Sequence, residues 1–297
     1  MGDDFSSPSY SHTPTLPHSL PHLFTLYNPL VINVEIVTVG NEVLLGLVQD
    51  TNSNYLCRVV RGMGGRVRHI AVVRDEIDCI VDEIRASLDR RADLILTCGG
   101  LGPTADDLTL AGVAEAAGAA LELNPAAKDF VEKRYAELSE RGHVSSAAMT
   151  DARLKMARLP VGAQMIENPV GAAPAMALES RGARIVSLPG VPAELKAIVE
   201  GPLQTLLAEM FGRGSYRERE LAVECNDESQ LAPALRRTAE VHPEVYIKSL
   251  ASRFGPDVVF RILLSASAAS EREADLMIDR ASEDLIRELR KTGIQKA

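Results

Sequence analysis

Residues 93–109 read DLILTCGGLGPTADDLT. The first six residues have the composition of a short strand that is buried on both faces, as in a parallel sheet. Three glycines in the next four positions let backbone amides face an anion, and the start of a following helix adds a favourable dipole. This stretch therefore predicts a parallel sheet with a phosphate-binding loop, Gly99 to Thr109, at the end of one strand.

Outward from this loop, apolar strand-like runs alternate with amphipathic helical patterns. Such alternation is typical of β-α-β units and of an α/β fold, a mostly parallel sheet with helices on both faces. Asp75 stands where a helix N-cap is expected, and one continuous helix is predicted from Pro192 to about Met210. The predicted strands are Val34–Val39, Arg66–Val73, Asp93–Cys98, Ala175–Glu179 and Ala183–Leu188.

The chain divides into three predicted regions. Residues 1–33 are rich in proline, serine and histidine and are expected to form a disordered tail. Residues 34–211 form the α/β domain, and a linker at Gly212–Ser215 leads to a smaller α+β domain at 215–297. In that domain a hairpin is predicted around Gly255-Pro256-Asp257, and capping boxes at Asp227–Gln230 and Ser270–Glu273 are predicted to start two helices.

Composition excludes several classes of function. The formal net charge of −9 disfavours an electrostatic nucleic-acid binder, which needs a basic surface. No apolar run reaches the ~18 residues of a membrane span. The four cysteines are widely spaced, without the pairs of a zinc site or a disulfide framework. We expect a cytoplasmic protein whose partner is a small molecule, with neither nucleic acid nor membrane as a partner.

Two adjacent carboxylates in the predicted loop indicate a metal. Asp106 and Asp107 would repel a phosphate unless a divalent cation bridges them, so Mg²⁺ or Mn²⁺ with oxygen ligands is predicted. Thr104 and Thr109 are placed to donate hydroxyl hydrogen bonds to the ligand. The alternative is that Asp106, Asp107 or Thr109 only caps the next helix while the glycines form a tight turn.

Further candidate residues follow the other strands. In an open parallel sheet, ligands bind beyond the carboxyl ends of the strands. Residues at these strand ends are therefore predicted to contact the substrate together with the loop glycines. Helix capping, turn formation or plain solvation would also explain their presence. The predicted substrate-binding residues are Glu42, Asp50, Asn52, Gly99, Gly100, Gly102, Thr104, Thr109, Gly190 and Lys196, and the family resemblance described below adds Asn168 and Gly171.

These residues together resemble the MoCF (molybdopterin-binding, MogA-like) domain superfamily, and most of all the N-terminal domain of the CinA competence/damage-inducible family. Leu101 replaces the threonine that is usual in molybdopterin enzymes, which favours the CinA branch. Ala175 stands where CinA-like proteins commonly have glycine. Besides the loop, the resemblance rests on Val39-Gly40-Asn41-Glu42 with Leu44-Leu45-Gly46, Asp50-Thr51-Asn52, Asn168-Pro169-Val170-Gly171 with Ala173-Pro174, and Leu188-Pro189-Gly190-Val191-Pro192 with Glu194 and Lys196.

The resemblance implies a metal-dependent pyrophosphatase that acts on ADP-ribose or a related dinucleotide such as FAD, with Mg, Mn or Co. Asp75 and Asp107 correspond to the acidic residues expected to be catalytic, and Asp106 and Asp107 are the expected metal ligands. Two alternatives stay open: a molybdopterin-binding or adenylyl-transferring protein of molybdenum cofactor biosynthesis, and a non-catalytic nucleotide sensor.

The resemblance also bears on the C-terminal region and on assembly. Residues 215–297 look like the KH-like unit of stand-alone relatives, so the deamidase domain of full-length CinA proteins is not expected. This region lacks the G-x-x-G loop with which KH domains clamp RNA. A homo-oligomer is expected, because relatives commonly self-associate.

Overall fold

A computed structural model describes residues 31–212, 215–225, 227–250, 259–268 and 270–296 of the chain. Most of the predicted tail, part of the predicted linker and the predicted turn at 255–257 lie outside these residues. The strands are β1 (Asn33–Val39), β2 (Arg66–Val73), β3 (Leu94–Cys98), β4 (Leu121–Leu123), β5 (Arg158–Pro160), β6 (Gln164–Ile166), β7 (Ala175–Ser180), β8 (Ala183–Leu188), β9 (Ser215–Glu224), β10 (Tyr246–Leu250), β11 (Val259–Ala268) and β12 (Gln295–Lys296).

Helices alternate with the strands of the first domain, as the sequence predicts, and the second domain has a helix between its first two strands and a long helix after its third. They are α1 (Asn41–Leu44), α2 (Thr51–Gly62), α3 (Ile77–Asp89), α4 (Thr109–Ala117), α5 (Pro125–Glu140), α6 (Asp151–Lys155), α7 (Pro192–Glu200), α8 (Gln204–Phe211), α9 (Ala232–Val241) and α10 (Glu271–Lys291).

A six-stranded sheet with the order β2-β1-β3-β8-β7-β6 forms the centre of the first domain. β2, β1, β3 and β8 are parallel, whereas β7 and β6 complete the sheet with antiparallel pairs. The register pairs Thr38 with Cys98 and Cys98 with Leu188, so these strands end level with one another. The predicted mostly parallel sheet is confirmed. The loops that follow its four parallel strands all lie at the same edge of the sheet.

Both faces of this sheet are covered by helices. One apolar core joins the sheet to α3, α4 and α5, with Ile84, Val113 and Val131 fully buried. The other joins it to α2, α7 and α8, with Leu56 and Leu195 among its buried residues. The two cores explain why β3 is buried at all five positions, as its unbroken apolar composition predicts.

The predicted continuous helix from Pro192 to Met210 is wrong. α7 ends at Glu200 and α8 starts at Gln204. Pro202 has no N–H group to donate and disfavours helical dihedrals in the residue before it. Gly201 accordingly leaves the helix, with φ −119° and ψ −107°.

The second domain is an antiparallel sheet, β10-β11-β9-β12, on which α10 packs. Ser270 accepts a hydrogen bond from the N–H of Glu273 and caps α10. Asp227 caps a short 3-10 turn, Glu228–Gln230, and not the α-helix that was predicted directly after it. The smaller α+β domain is thus present, and its KH-like character stays a prediction.

Across the described residues, every helix is too short or too polar to span a bilayer.

Candidate functional site

A cleft of about 610 Å³ opens at the carboxyl edge of the four parallel strands. Loops after β1, β2, β3 and β8 form one side, and residues from α5, from the end of α6 and from the segment before β7 form the other. Its lining comprises Val39, Glu42, Asp75, Gly99, Gly100, Leu101, Gly102, Pro103, Thr104, Asp106, Asp107, Tyr135, Met156, Ala172, Ala173, Pro189, Gly190, Val191, Pro192 and Glu194.

The first two glycines of the loop are required by its shape. Gly99 has φ 103°, and a Cβ there would lie 2.1 Å from the carbonyl oxygen of Val39. Gly100 has φ 67°, and a Cβ there would lie 2.3 Å from Oγ1 of Thr109. Side chains other than hydrogen are therefore excluded from both positions.

The loop offers backbone donors without internal partners. Within the described part of the chain, the N–H groups of Gly100, Leu101 and Gly102 donate to no acceptor. Consecutive free amides next to a left-handed residue form a concave site that suits an anion. This geometry supports the phosphate-binding loop that the glycine spacing predicts.

Thr104 links the two carboxylates of the loop. Asp107 Oδ2 accepts hydrogen bonds from the N–H of Thr104 at 2.8 Å and from its hydroxyl group at 2.5 Å. The same hydroxyl group lies against Oδ1 of Asp106. This contact, with a smaller contribution from Lys155, lowers the pKa of the exposed Asp106 carboxyl. Asp106 and Asp107 thus present oxygen atoms side by side at the rim of the cleft.

Asp75 lies in the cleft and does not cap α3. Its Oδ2 accepts a hydrogen bond of 2.6 Å from the N–H of Asn41, and the N-cap position of α3 belongs to Glu76. Burial raises the pKa of Asp75, the Asn41 hydrogen bond opposes this, and the charges of Glu42, Asp106 and Asp107 raise it further. The N-cap prediction is wrong because the carboxylate turns toward the loop after β1.

The donor set of the cleft fits a hard cation that arrives with a ligand. Five carboxylates line the cleft, and its lining contains no Lys, Arg or His among the described residues. Over the same residues, no three His, Cys, Asp or Glu side chains cluster closely enough to hold a metal ion. Mg²⁺ typically uses one or two carboxylates together with substrate phosphates and water. The lining carboxylates are Glu42, Asp75, Asp106, Asp107 and Glu194.

Several predicted substrate-binding residues brace the loops and are absent from the lining of the cleft. Asp50 caps α2 through the N–H of Ser53 and accepts a hydrogen bond from Thr38. Asn52 donates to the carbonyl oxygen of Gly190 at 2.8 Å. Both side chains make their hydrogen bonds to protein groups. The contacts therefore support a structural role in capping α2 and bracing the loops, and not a role in substrate binding.

The remaining predicted residues outside the lining are Thr109, Asn168, Gly171 and Lys196. Thr109 is fully buried and donates to Gly99, and Asn168 is fully buried and organises the turn that contains Gly171. Lys196 is exposed, with Nζ 5.6 Å from the ring centroid of Tyr55. The prediction that Lys196 offsets ligand charge receives no support from this position.

Besides apolar residues at the strand exits and before β7, four residues at or beside the cleft were not predicted as site residues. Tyr135, with the Arg153 guanidinium 3.8 Å from its ring centroid, and Met156 line the wall opposite the glycine loop. Lys155 contacts the carbonyl oxygen of Thr104. Glu194 lines the cleft after β8. Only Glu194 could have been found, because it follows a strand exit within a quoted motif.

Comparison with known proteins identifies the family. The model of the MoCF biosynthesis family, described as a probable molybdopterin binding domain, matches residues 35–209. A protein of Aeropyrum pernix is 42% identical over 245 residues, which are 82% of this chain and 88% of that protein. A protein of Pyrobaculum aerophilum is 38% identical over 252 residues, 84% of this chain and 92% of its own.

A solved structure is also similar. The crystal structure of the protein CinA, of unknown function, from Thermoplasma acidophilum shares 35% identity and gives a TM-score of 0.53. It covers 59% of this chain and 98% of its own. The family match spans more than half of the chain and contains the glycine loop. The chain therefore belongs to the MoCF family of probable molybdopterin binding domains, as a CinA-like member.

Proposed function

We propose that the protein is a metal-dependent hydrolase that cleaves the diphosphate bond of a dinucleotide such as ADP-ribose or FAD. One observation carries the proposal: among the residues that the structure describes, the free amides of the glycine loop and five carboxylates share one cleft that has no cationic side chain in its lining. The amides suit a phosphate oxygen. The carboxylates suit a metal that accompanies it.

The charges in the cleft are the reason why the proposal includes a metal ion. Two like charges 5 Å apart repel by about 3 kcal/mol at an effective dielectric constant of 20. A diphosphate beside several carboxylates is therefore disfavoured unless a cation accompanies it. Asp106 and Asp107, held side by side by Thr104, would hold this cation. When bound, Mg²⁺, Mn²⁺ or Co²⁺ would neutralise charge on the phosphoryl oxygens and lower the pKa of bound water.

Asp75 is the proposed general base. Its raised pKa makes its carboxylate a better proton acceptor than an ordinary aspartate. The oxygen of a water molecule would bond to one phosphorus atom while its proton passes to Asp75, and the bond from that phosphorus to the bridging oxygen would break. With ADP-ribose the products are AMP and ribose phosphate, and the proton on Asp75 then returns to solvent or product.

The test is the release of AMP. Purified protein is incubated with ADP-ribose and with FAD in the presence of Mg²⁺, Mn²⁺ or Co²⁺, and in the presence of EDTA, and AMP is measured by chromatography. We expect metal-dependent release that Asp75→Asn and Asp107→Asn each reduce by about 100-fold or more, the scale typical of a general base. Asp129→Asn, an exposed position on α5 outside the cleft lining, is the matched control. No AMP release with any metal contradicts the hydrolase proposal.

A second candidate function is binding of molybdopterin, or adenylyl transfer to it. The description of the matching family favours this candidate. Its expected result is saturable binding of a molybdopterin precursor, or transfer of AMP to it, without hydrolysis of ADP-ribose. Binding of nucleotides without any turnover would indicate a nucleotide sensor.

Self-association and a cytoplasmic location complete the proposal. Leu44, Leu45, Leu47 and Val48 are each at least half exposed, in the segment that follows Glu42 of the cleft. Burial of this apolar surface between two copies would stabilise an oligomer by about 25 cal/mol per Å². Sedimentation velocity is expected to show an oligomer, and a monomer at all concentrations contradicts this part.

A further inference from the structure

Glu194 is held in the cleft by a buried polar support. Asn168 has no exposed surface, and its Nδ2 donates to Oε2 of Glu194 at 2.7 Å and to the carbonyl oxygen of Ala173 at 2.9 Å. Its Oδ1 accepts from the N–H groups of Val170 and Gly171. One buried amide thus fixes both a turn and a carboxylate, which limits the freedom of Glu194 before any ligand binds.

The turn also leaves space for this carboxylate. A Cβ at Gly171 would lie 2.1 to 2.6 Å from the carboxylate atoms of Glu194, so a side chain there would displace them. Over the described residues, Oε1 of Glu194 accepts no hydrogen bond, whereas Oε2 is occupied by Asn168. A supported carboxylate with one free oxygen atom therefore faces the cleft.

Glu194 is distant from Asp75. It lies in the first turn of α7 after β8, whereas Asp75 follows β2, three strands away in the order β2-β1-β3-β8. At about 4.8 Å a strand, these two exits are ~14 Å apart. The charges of Glu42, Asp106 and Asp107 act on Asp75, and that of Glu194 is not among them. Glu194 therefore lies away from Asp75 and beside the exit of β3, the strand that leads into the glycine loop.

We propose that Glu194 determines specificity by accepting hydrogen bonds from the hydroxyl groups of a ribose whose diphosphate lies on the glycine loop. This inference rests on the proposed function. A carboxylate is acceptor-only, and the free Oε1 of Glu194 has lone pairs that can accept from hydroxyl donors. In doubly wound dinucleotide-binding folds, a carboxylate likewise accepts hydrogen bonds from the ribose hydroxyl groups.

The test is a binding experiment on the full chain. Isothermal titration with Mn²⁺ uses α,β-methylene ADP-ribose, which cannot be hydrolysed, and two analogues that each lack the 2-hydroxyl group of one ribose. We expect the wild type to bind one of these analogues about 10-fold more weakly than the parent, because a hydrogen bond to a charged group is lost.

Glu194→Gln replaces the carboxylate at nearly constant volume and is expected to reduce this preference to about 3-fold or less, on the scale of a bond between neutral groups. Glu200→Gln is the matched control, on the same helix, where the carboxylate accepts from the hydroxyl group of Tyr55 outside the cleft lining. This control is expected to keep the full preference. If the glutamine variant melts at a lower temperature than the wild type, Glu194→Asp is used instead. This substitution keeps the negative charge but moves the carboxylate back by one methylene group, away from the ligand.

The outcomes separate the two proposals. If the wild type binds the parent compound but prefers it to neither analogue, or if both Glu194 variants keep the full preference, the inference about Glu194 is overturned and the hydrolase proposal stands. If the wild type binds none of the compounds with Mn²⁺, the nucleotide proposal itself fails, and the inference fails with it.

Discussion

The hydroxyl group of Thr109 donates a hydrogen bond of 2.7 Å to the carbonyl oxygen of Gly99. The N–H of Thr109 also donates to the carbonyl oxygen of Gly100. Two bonds from one residue thus close the eleven-residue loop on itself and occupy the carbonyl groups of its first two residues. The side chain of Thr109 thus supports the glycine loop without lining the cleft.

Thr109→Val tests this closure. The substitution keeps the shape of the side chain and leaves the carbonyl oxygen of Gly99 buried without its hydroxyl donor, so we expect a loss of about 1–3 kcal/mol in the free energy of unfolding. Urea denaturation measures it. Thr109→Ser keeps the hydroxyl group and is expected to lose less. Equal stability of the valine and serine variants would show that the bond contributes nothing.

Gly99→Ala tests the required backbone conformation. A methyl group would overlap the Val39 carbonyl oxygen in a left-handed residue, so we expect a loss of about 3 kcal/mol or more. Gly118 has φ 69° with open space around its Cβ position, and Gly118→Ala is expected to lose only about 1 kcal/mol. Thermal melts of both variants compare them, and similar losses would mean that the Val39 contact is unimportant.

Glu42→Gln tests the electrostatics of Asp75. Removing one of the negative charges that raise the pKa of Asp75 favours its ionised form, so this pKa falls. Titration of the Asp75 carboxyl carbon by NMR measures the change, and the acid limb of any activity moves to lower pH with it.

The same shift has a consequence for stability. A raised pKa in the folded state means that the contribution of Asp75 to stability is present below its unfolded pKa and is lost as the pH rises through the folded value. Glu42→Gln is expected to make this loss smaller. An unchanged Asp75 titration in the variant would show that the two carboxylates do not interact.

Lys155→Met tests the contact between α6 and the loop. Without the ammonium group at the carbonyl oxygen of Thr104, the turn that presents Asp106 and Asp107 is held less firmly. We expect Mn²⁺ binding, measured by EPR titration, to weaken about 3- to 10-fold, the effect of losing an exposed charge interaction. Lys196→Met is the control, because Lys196 is exposed beside Tyr55. Removal of a positive charge by itself would strengthen Mn²⁺ binding, so unchanged or tighter binding in Lys155→Met would show that the contact with Thr104 does not hold the turn.

Strands β3 and β8 were predictable because burial on both faces leaves an apolar signal; Ala183–Leu188 matches its predicted bounds and β3 differs by one residue. Arg66–Val73 also matches its predicted bounds, although none of its residues is buried. The predicted helix after Pro192 failed at Gly201-Pro202, where local backbone chemistry outweighed an apolar periodicity that continues on both sides of the break. Periodicity reports which face is buried, and it does not report whether the backbone between two turns is continuous.

The site was predictable only on the side that the strand exits form. Asp75, Asp107 and Gly190 follow strands, and the parallel order brings them to one edge. Tyr135 and Met156 lie on or beside helices whose position over that edge depends on packing against the core, which sequence spacing does not encode. Asn52 and Thr109 lie in the first turns of α2 and α4, near the predicted strand exits, but spacing cannot tell whether a side chain turns toward a ligand or toward a carbonyl group.

The place of β8 in the sheet has a consequence for folding. β8 pairs with β3, although residues 99–182 separate the two strands in the chain, and it is the last of the four parallel strands to be synthesised. Long-range pairing of this kind is slow, because loop closure must precede the contacts that reward it. A nascent chain that ends before residue 183 lacks β8 and the following residues of the cleft, Gly190 and Glu194. Ligand binding during synthesis would therefore mark the completion of the first domain.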